Sequence, residues 1–199
     1  MAFETLTPVL LFALVATITP GGATTLATAS GAHFGFNRSV PMIVGIAAGL
    51  GAMAAAAALG LGGLLIAAPF MQVVMKSAGS IYLLWLAIKI ARSSKPHLNN
   101  ELARPTGFFG GVWMLWHNPK GWAMTMGAAA AFATSAHGPV ALAALLGSTF
   151  ATAAILSLSI WCKAGQLLGA ALKTNRQWHI LNFILSLLLV TSIIPMWFE

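Results

Sequence analysis

Polar positions in this chain are confined to short intervals between long apolar runs. The runs cover about residues 6–30, 40–67, 69–90, 107–135, 140–161 and 178–198. Each approaches or exceeds the roughly twenty apolar residues that a helix needs to cross a bilayer. None alternates every second position over about ten residues, as the strands of a membrane barrel do. The expected fold is therefore an all-α integral membrane protein with six transmembrane helices.

Two of the runs are interrupted. Thr19-Pro20-Gly21-Gly22 lies deep in the first and His117-Asn118-Pro119-Lys120 in the fourth, with the prolines ninety-nine positions apart. Proline removes a backbone donor and its ring clashes with the preceding turn, so each site frees carbonyls that an ordinary membrane helix keeps paired. Pro20 is about the fifteenth residue of its run and Pro119 about the thirteenth of its own. Helix breaks at corresponding places in two halves point to a transporter's binding site. Three crossings per half give the halves opposite orientation, so the expectation is one membrane domain made of two inverted three-helix repeats, 1–95 and 104–199, with the breaks facing each other.

Composition sharpens this picture. Of 199 residues, 59% are hydrophobic and 7% charged, with a mean hydropathy of +0.88, against roughly a quarter charged in soluble domains. The net charge of +7 does not point to nucleic acid, because the basic residues collect in the connections. Eight of the ten (Arg38, Lys89, Arg92, Lys95, Arg104, Lys163, Lys173 and Arg176) fall in or beside the links 31–39, 91–106 and 163–177. The positive-inside tendency makes these links cytoplasmic, facing anionic membrane lipids, in a multi-pass protein of a bacterial-type inner membrane. Both termini, each with a lone glutamate, then lie outside. The N-terminus lacks the basic flank of a signal peptide, so the first run is expected to be retained. In the second run, Gly45-x-x-x-Gly49 lets helix backbones approach closely and predicts a buried helix.

The chemistry that is missing narrows the function. There is no aspartate, and the acids are Glu4, Glu101 and Glu199, at the termini or in a loop. No membrane carboxylate is available to bind a cation or relay a proton, and no acid can orient a Ser-His catalytic pair. The histidines show no metal-binding spacing. One cysteine, Cys162, excludes an internal disulfide and a CxxC pair. Neither a metal, a cofactor nor an enzymatic activity is expected.

What remains is polar backbone and a few side chains at the breaks. Thr19, Thr24, Thr25 and Thr28 supply hydroxyls at the first, and Asn118 and Lys120 an amide and a cation at the second. Unwound backbone with hydroxyls can receive a zwitterion: N–H groups at a half-helix start attract a carboxylate, and freed carbonyls accept from an ammonium. The same threonines could instead satisfy a simple bend. Lys120 could hold a substrate carboxylate or reach the cytoplasmic headgroups beside Trp122. Histidine is the side-chain type suited to proton response at physiological pH, and His117 is either a proton-responsive group or an interfacial histidine.

At these residues the chain resembles the lysine/threonine-homoserine exporter family. The matching pieces are Thr19-Pro20-Gly21, the second run with Gly45 and Gly49, Tyr82-Leu-Leu-Trp-Leu-Ala-Ile-Lys89, Phe109-Gly110 and Asn118-Pro119-Lys120. The resemblance implies a six-helix inner-membrane carrier that exports amino acids or related metabolites and is driven by the proton gradient. It places Thr19, Pro20, Gly21, Gly22, Thr24, Asn118, Pro119 and Lys120 around the substrate path. Two departures stand out: the family usually has a second proline where Gly22 stands, often followed by Asn where Ala23 stands, and many members have an acid near Gly51. Loss of that acid suggests a different solute from that of the type members.

Two functions of different class follow. One is an efflux carrier for a small amino-acid-like molecule. The other is a non-transporting membrane subunit or assembly factor that binds a partner through Gly/Ala-rich helix faces. Assembly with further copies of the chain is compatible with either.

Overall fold

A computed structural model describes residues 2–61, 69–92, 105–194 and 197. Among the described residues it holds eight helices and no strand. They are α1 (Ala2–Ile18), α2 (Gly22–Phe34), α3 (Phe36–Ala58), α4 (Pro69–Ala91), α5 (Phe108–Trp116), α6 (Pro119–Ala131), α7 (Pro139–Ala171) and α8 (Asn175–Thr191). Both expected breaks are present: Pro20 separates α1 from α2, which bend by 62°, and Asn118 separates α5 from α6. By length and composition α3 and α7 can each cross a membrane, and the bent pair α1–α2 is long and apolar enough to be a third span if it crosses as one unit.

Two polar links are shorter than their charges suggest. The interval 31–39 is almost entirely helical, because α2 runs to Phe34 and α3 starts at Phe36. Gly35 alone turns the chain, at φ 77°, a conformation that a Cβ disfavours. Its N–H donates to the Gly31 carbonyl at 3.0 Å. Arg38 therefore sits in the first turn of α3. The interval 163–177 is likewise helical as far as Ala171. With 33 residues α7 is about 50 Å long, well beyond the ~30 Å hydrocarbon layer. Its basic residue Lys163 lies within the helix rather than at its end. Lys163, stacked 4.5 Å from the Phe36 ring centroid, sits on this extension. The turn to α8 is closed by Thr174 and Gln177, each capping the other's backbone N–H, at 3.3 and 3.0 Å.

At the second break's far end, α6 stops at Ala131, short of Ser135, and Gly138 precedes Pro139 of α7. The expected boundary between the halves at 95–104, with Lys95, Glu101 and Arg104, lies outside the described residues, as does Glu199.

The long helices α3 and α7 cross at the centre, with α1 and α2 packed on α7 and α5 and α6 on α3. Lipid tails are as apolar as leucine, so helices associate there through close packing rather than hydrophobic drive. Small residues provide that fit. A Cβ on Gly51 would lie 2.8 Å from the Gly147 carbonyl oxygen, so α3 and α7 meet backbone to backbone. The Gly45/Gly49 face, expected to be buried, receives α5: a Cβ at Gly45 would overlap the Phe108 carbonyl, and one at Gly49 would touch Val112 Cα. A third seam, not foreseen, joins α2 to α7, where Gly31 faces Cys162 backbone, Gly165 faces Thr28 backbone and Gly169 faces Ala32 backbone.

Helices α4 and α8 pack chiefly on each other and reach the central bundle through α6 and α2. Ser186 ties the pair by donating to the Ala87 carbonyl at 2.9 Å. His33 of α2 meets α8, its Nε2 donating to Oδ1 of the fully buried Asn182 at 2.8 Å. Outward faces carry large exposed apolar side chains such as Ile81, Leu167 and Phe183, a surface suited to lipid rather than water.

Candidate functional site

Proline at position 20 cannot donate to Ala16, and the unwound stretch that follows leaves the carbonyls at the end of α1 without helical partners. Side chains from distant helices meet four of them in succession. Ser157 Oγ donates to Thr17 O at 2.8 Å and Trp161 Nε1 to Ile18 O at 3.1 Å, both from α7. Lys120 Nζ donates to Thr19 O at 3.3 Å and Pro20 O at 3.4 Å. The second break thus puts its ammonium on the carbonyls of the first. Gly21 leaves room for this, since a Cβ there would lie 3.3 Å from Lys120 Nζ.

The threonines are engaged locally. Thr19 Oγ1 donates to Val15 O at 2.6 Å and Thr28 Oγ1 to Thr24 O at 2.9 Å. Thr24 closes the start of α2: its hydroxyl accepts from Gly21 N at 2.8 Å and donates to Gly21 O at 2.9 Å. These hydroxyl protons are therefore directed at backbone, and what the first break presents is mainly main chain.

The second break is shaped by its own residues. Asn118 is the N-cap of α6, its Oδ1 accepting from Lys120 N at 3.1 Å, and Pro119 takes the first helical position, where no donor is needed. Trp122 Nε1 donates to Trp116 O at 3.0 Å. His117 packs on Trp113, with ring centroids 4.0 Å apart and the planes tilted by 37°, and Nδ1 donates to Trp113 O at 2.8 Å.

A cavity of about 40 Å³ lies between the breaks. Thr19, Gly21, Gly22 and Thr24 line it on one side and Asn118 and Lys120 on the other. Six of the eight expected substrate-path residues are thereby brought to one place; Pro20 and Pro119 make the breaks that shape it. His117 is not among the lining residues, because its bond to Trp113 holds it away. The other walls are apolar side chains including Ile46, Leu50 and Leu158.

A model of the LysE type translocator family matches residues 14–192, most of the chain, including both breaks. The chain belongs to the LysE type translocator family. This translocator is thus a membrane transport protein, of a family of transporters rather than enzymes, and it handles a small molecule. Of the two sequence readings, the family match favours transport. Comparison with curated proteins and with solved structures finds no match.

Sequence reasoning missed Ser157 and Trp161, the α7 donors to α1. Their spacing of four places both on one helix face, and a buried serine in an apolar helix was the available signal. Ser157→Ala should lower stability by about 1 kcal/mol, because Thr17 O loses its donor in a dry environment. A thermal unfolding midpoint equal to that of the parent protein would remove Ser157 from the capping set.

Proposed function

We propose that this translocator is a secondary carrier that exports an amino acid or a related small metabolite across the inner membrane, with access alternating around the two breaks. The observation that carries the reading is the Lys120 ammonium resting on the Thr19 and Pro20 carbonyls. A site that accommodates one ammonium on freed carbonyls has the chemistry for another. The first-turn amides of α2, which have no intrahelical acceptor, belong to residues lining the same cavity and suit a carboxylate. Thr19, Pro20, Gly21, Gly22, Thr24, Asn118, Pro119 and Lys120 form the substrate path.

Six crossings in two inverted repeats provide the frame. Exchanging the halves maps α1–α4 onto α5–α8. The α2·α7 contact then becomes α6·α3, α1·α7 becomes α5·α3, and α2·α8 becomes α6·α4, and every one of these pairs packs. The pairs α3·α7 and α4·α8 map onto themselves, as Gly51 against Gly147 illustrates. This correspondence supports the repeat, and with the basic links on the cytoplasmic side both termini lie outside. Reporter fusions that put residue 199 in the cytoplasm would overturn that orientation.

Export is driven by the proton gradient, as in the family the sequence resembles, and His117 is the proton-responsive candidate within the second break. The decisive test compares metabolites released by cells with and without the protein. We expect a specific amino-acid-like solute to accumulate outside only when the protein is present, and its efflux to stop when a protonophore collapses the gradient. If no solute's export changes, the carrier reading fails; if efflux persists after collapse, only the coupling fails.

A further inference from the structure

We propose that Asn118 selects for a carboxylate: its Nδ2 and the first-turn amides of α2 hold the carboxylate of an apolar amino acid between the two breaks. This names a substrate class for the site described above and rests on the carrier reading.

The two ends of the Asn118 amide face different partners. Oδ1 accepts from Lys120 N at 3.1 Å and so caps α6. A backbone N–H needs an acceptor, and this bond fixes which end of the amide is oxygen. Nδ2, with its two N–H groups, is then turned away from the helix start, and among the described residues nothing accepts from it. Asn118 is only 9% exposed, and it lines the cavity. A donor placed this deeply without a protein acceptor is costly, and an acceptor on a ligand in the cavity relieves it.

The second set of donors comes from α2. Its N-cap is Gly21, which has no side chain to satisfy the helix start as Asn118 does for α6. The first of its amides with a helical acceptor is that of Thr25, which donates to Gly21 O at 2.9 Å. The N–H groups of Gly22, Ala23 and Thr24 precede it at the positive end of the helix, and all three residues line the cavity with Asn118. The Lys120 ammonium, lying over Gly21, adds positive charge on the same side.

Donors from both breaks therefore converge on one half-open space of about 40 Å³. Because that space is open, it has to enclose the carboxylate and not the whole solute. A carboxylate is acceptor-only and has two oxygens, so one can face α2 and the other Asn118. Beyond the donors the wall is the apolar surface of Ile46, Leu50 and Leu158, which gives a polar side chain no partner and suits an aliphatic one. The substrate class is thus an amino acid with a free carboxylate and an apolar side chain. Its decarboxylated amine is rejected, because the donors would stay unpaired around it.

Substitution separates the two ends of the amide. Asn118→Asp keeps an oxygen for Lys120 N, since aspartate caps as well as asparagine, but turns an anionic oxygen toward the substrate carboxylate. Asn118→Ser also keeps the cap and lacks the amide donors. Binding of leucine and 3-methylbutylamine is measured on the purified full-length protein in lipid nanodiscs. The parent protein is expected to bind leucine about 10- to 100-fold more tightly than the amine, the worth of one hydrogen bond to a charged group. In both variants leucine affinity is expected to fall at least about tenfold while amine affinity does not fall. A role confined to capping α6 predicts instead that both variants bind leucine like the parent, and that result overturns the proposal. So does an equal loss for leucine and the amine, or a parent that binds no leucine. If cells export an amino acid and the selective loss is absent, the carboxylate site alone fails. If the selective loss is seen and no export depends on the protein, the site stands and the carrier reading fails.

Discussion

Gly165→Leu is expected to yield no monodisperse protein after detergent extraction, whereas Gly127→Leu should purify like the parent. Any side chain at 165 begins with a Cβ that would overlap the Thr28 carbonyl. The obstructing atoms are main chain on both helices, so no rotamer change relieves them. Overpacking of ordinary cores costs about 1–3 kcal/mol, and here α2 must move off α7 as a unit. That movement opens Gly31 from Cys162 and Gly169 from Ala32 along the same seam. It also pulls Thr17 and Ile18 away from Ser157 and Trp161. Gly127 has nothing within 4 Å of its Cβ position, and relief of helical glycine adds about 0.5–1 kcal/mol of stability. Size-exclusion profiles of the two variants provide the comparison, and a normal profile for Gly165→Leu would show that the seam can open.

Lys120→Met should remove transport while leaving the fold intact. Thr19 and Pro20 are exposed at the break, so losing the lysine donor leaves their carbonyls open to other partners and costs little stability. The charge that meets the substrate carboxylate is gone, and with it about 1.5–3 kcal/mol, or roughly 10- to 100-fold in apparent affinity. Efflux from preloaded cells should fall at least about tenfold, with the thermal midpoint nearly unchanged. Lys120→Arg should retain part of the activity, because the cation persists in a bulkier form. Wild-type efflux by Lys120→Met would take Lys120 out of the substrate path.

The two breaks were legible because proline's effect is local: it withholds a donor wherever the fold places it. That Pro20 and Pro119 belong together could be argued from position, but the reach of Lys120 to Thr19 and Pro20 could not, since it depends on how α6 meets α1 in space. Thr24 illustrates a different limit. A hydroxyl in an apolar helix reads as available, yet it closes its own helix start on Gly21. His117 was singled out as a histidine within the second break, and the neighbouring Trp113 decided its orientation. The α2·α7 seam was hidden because Lys163 and its neighbours read as a connection. Charge does not mark the end of a helix, and one with a glycine face continues past it. The single-residue turn at Gly35 was likewise invisible, since a sign of φ leaves no trace in hydropathy.

That turn sets the mechanics of α2. With only Gly35 between them, α2 and α3 meet at a corner braced by Ser39, which bonds Gly35 O at 2.8 Å and Ser30 Oγ at 2.7 Å. The opposite end of α2, 13 residues away, is the unwound break. The helix is therefore a lever about 20 Å long, pivoted at one end and unhindered by helical bonding at the other. A rotation of about 5° at the corner displaces Gly22 by about 1.7 Å, so angular changes too small to disturb Ser39 are magnified at the cavity mouth.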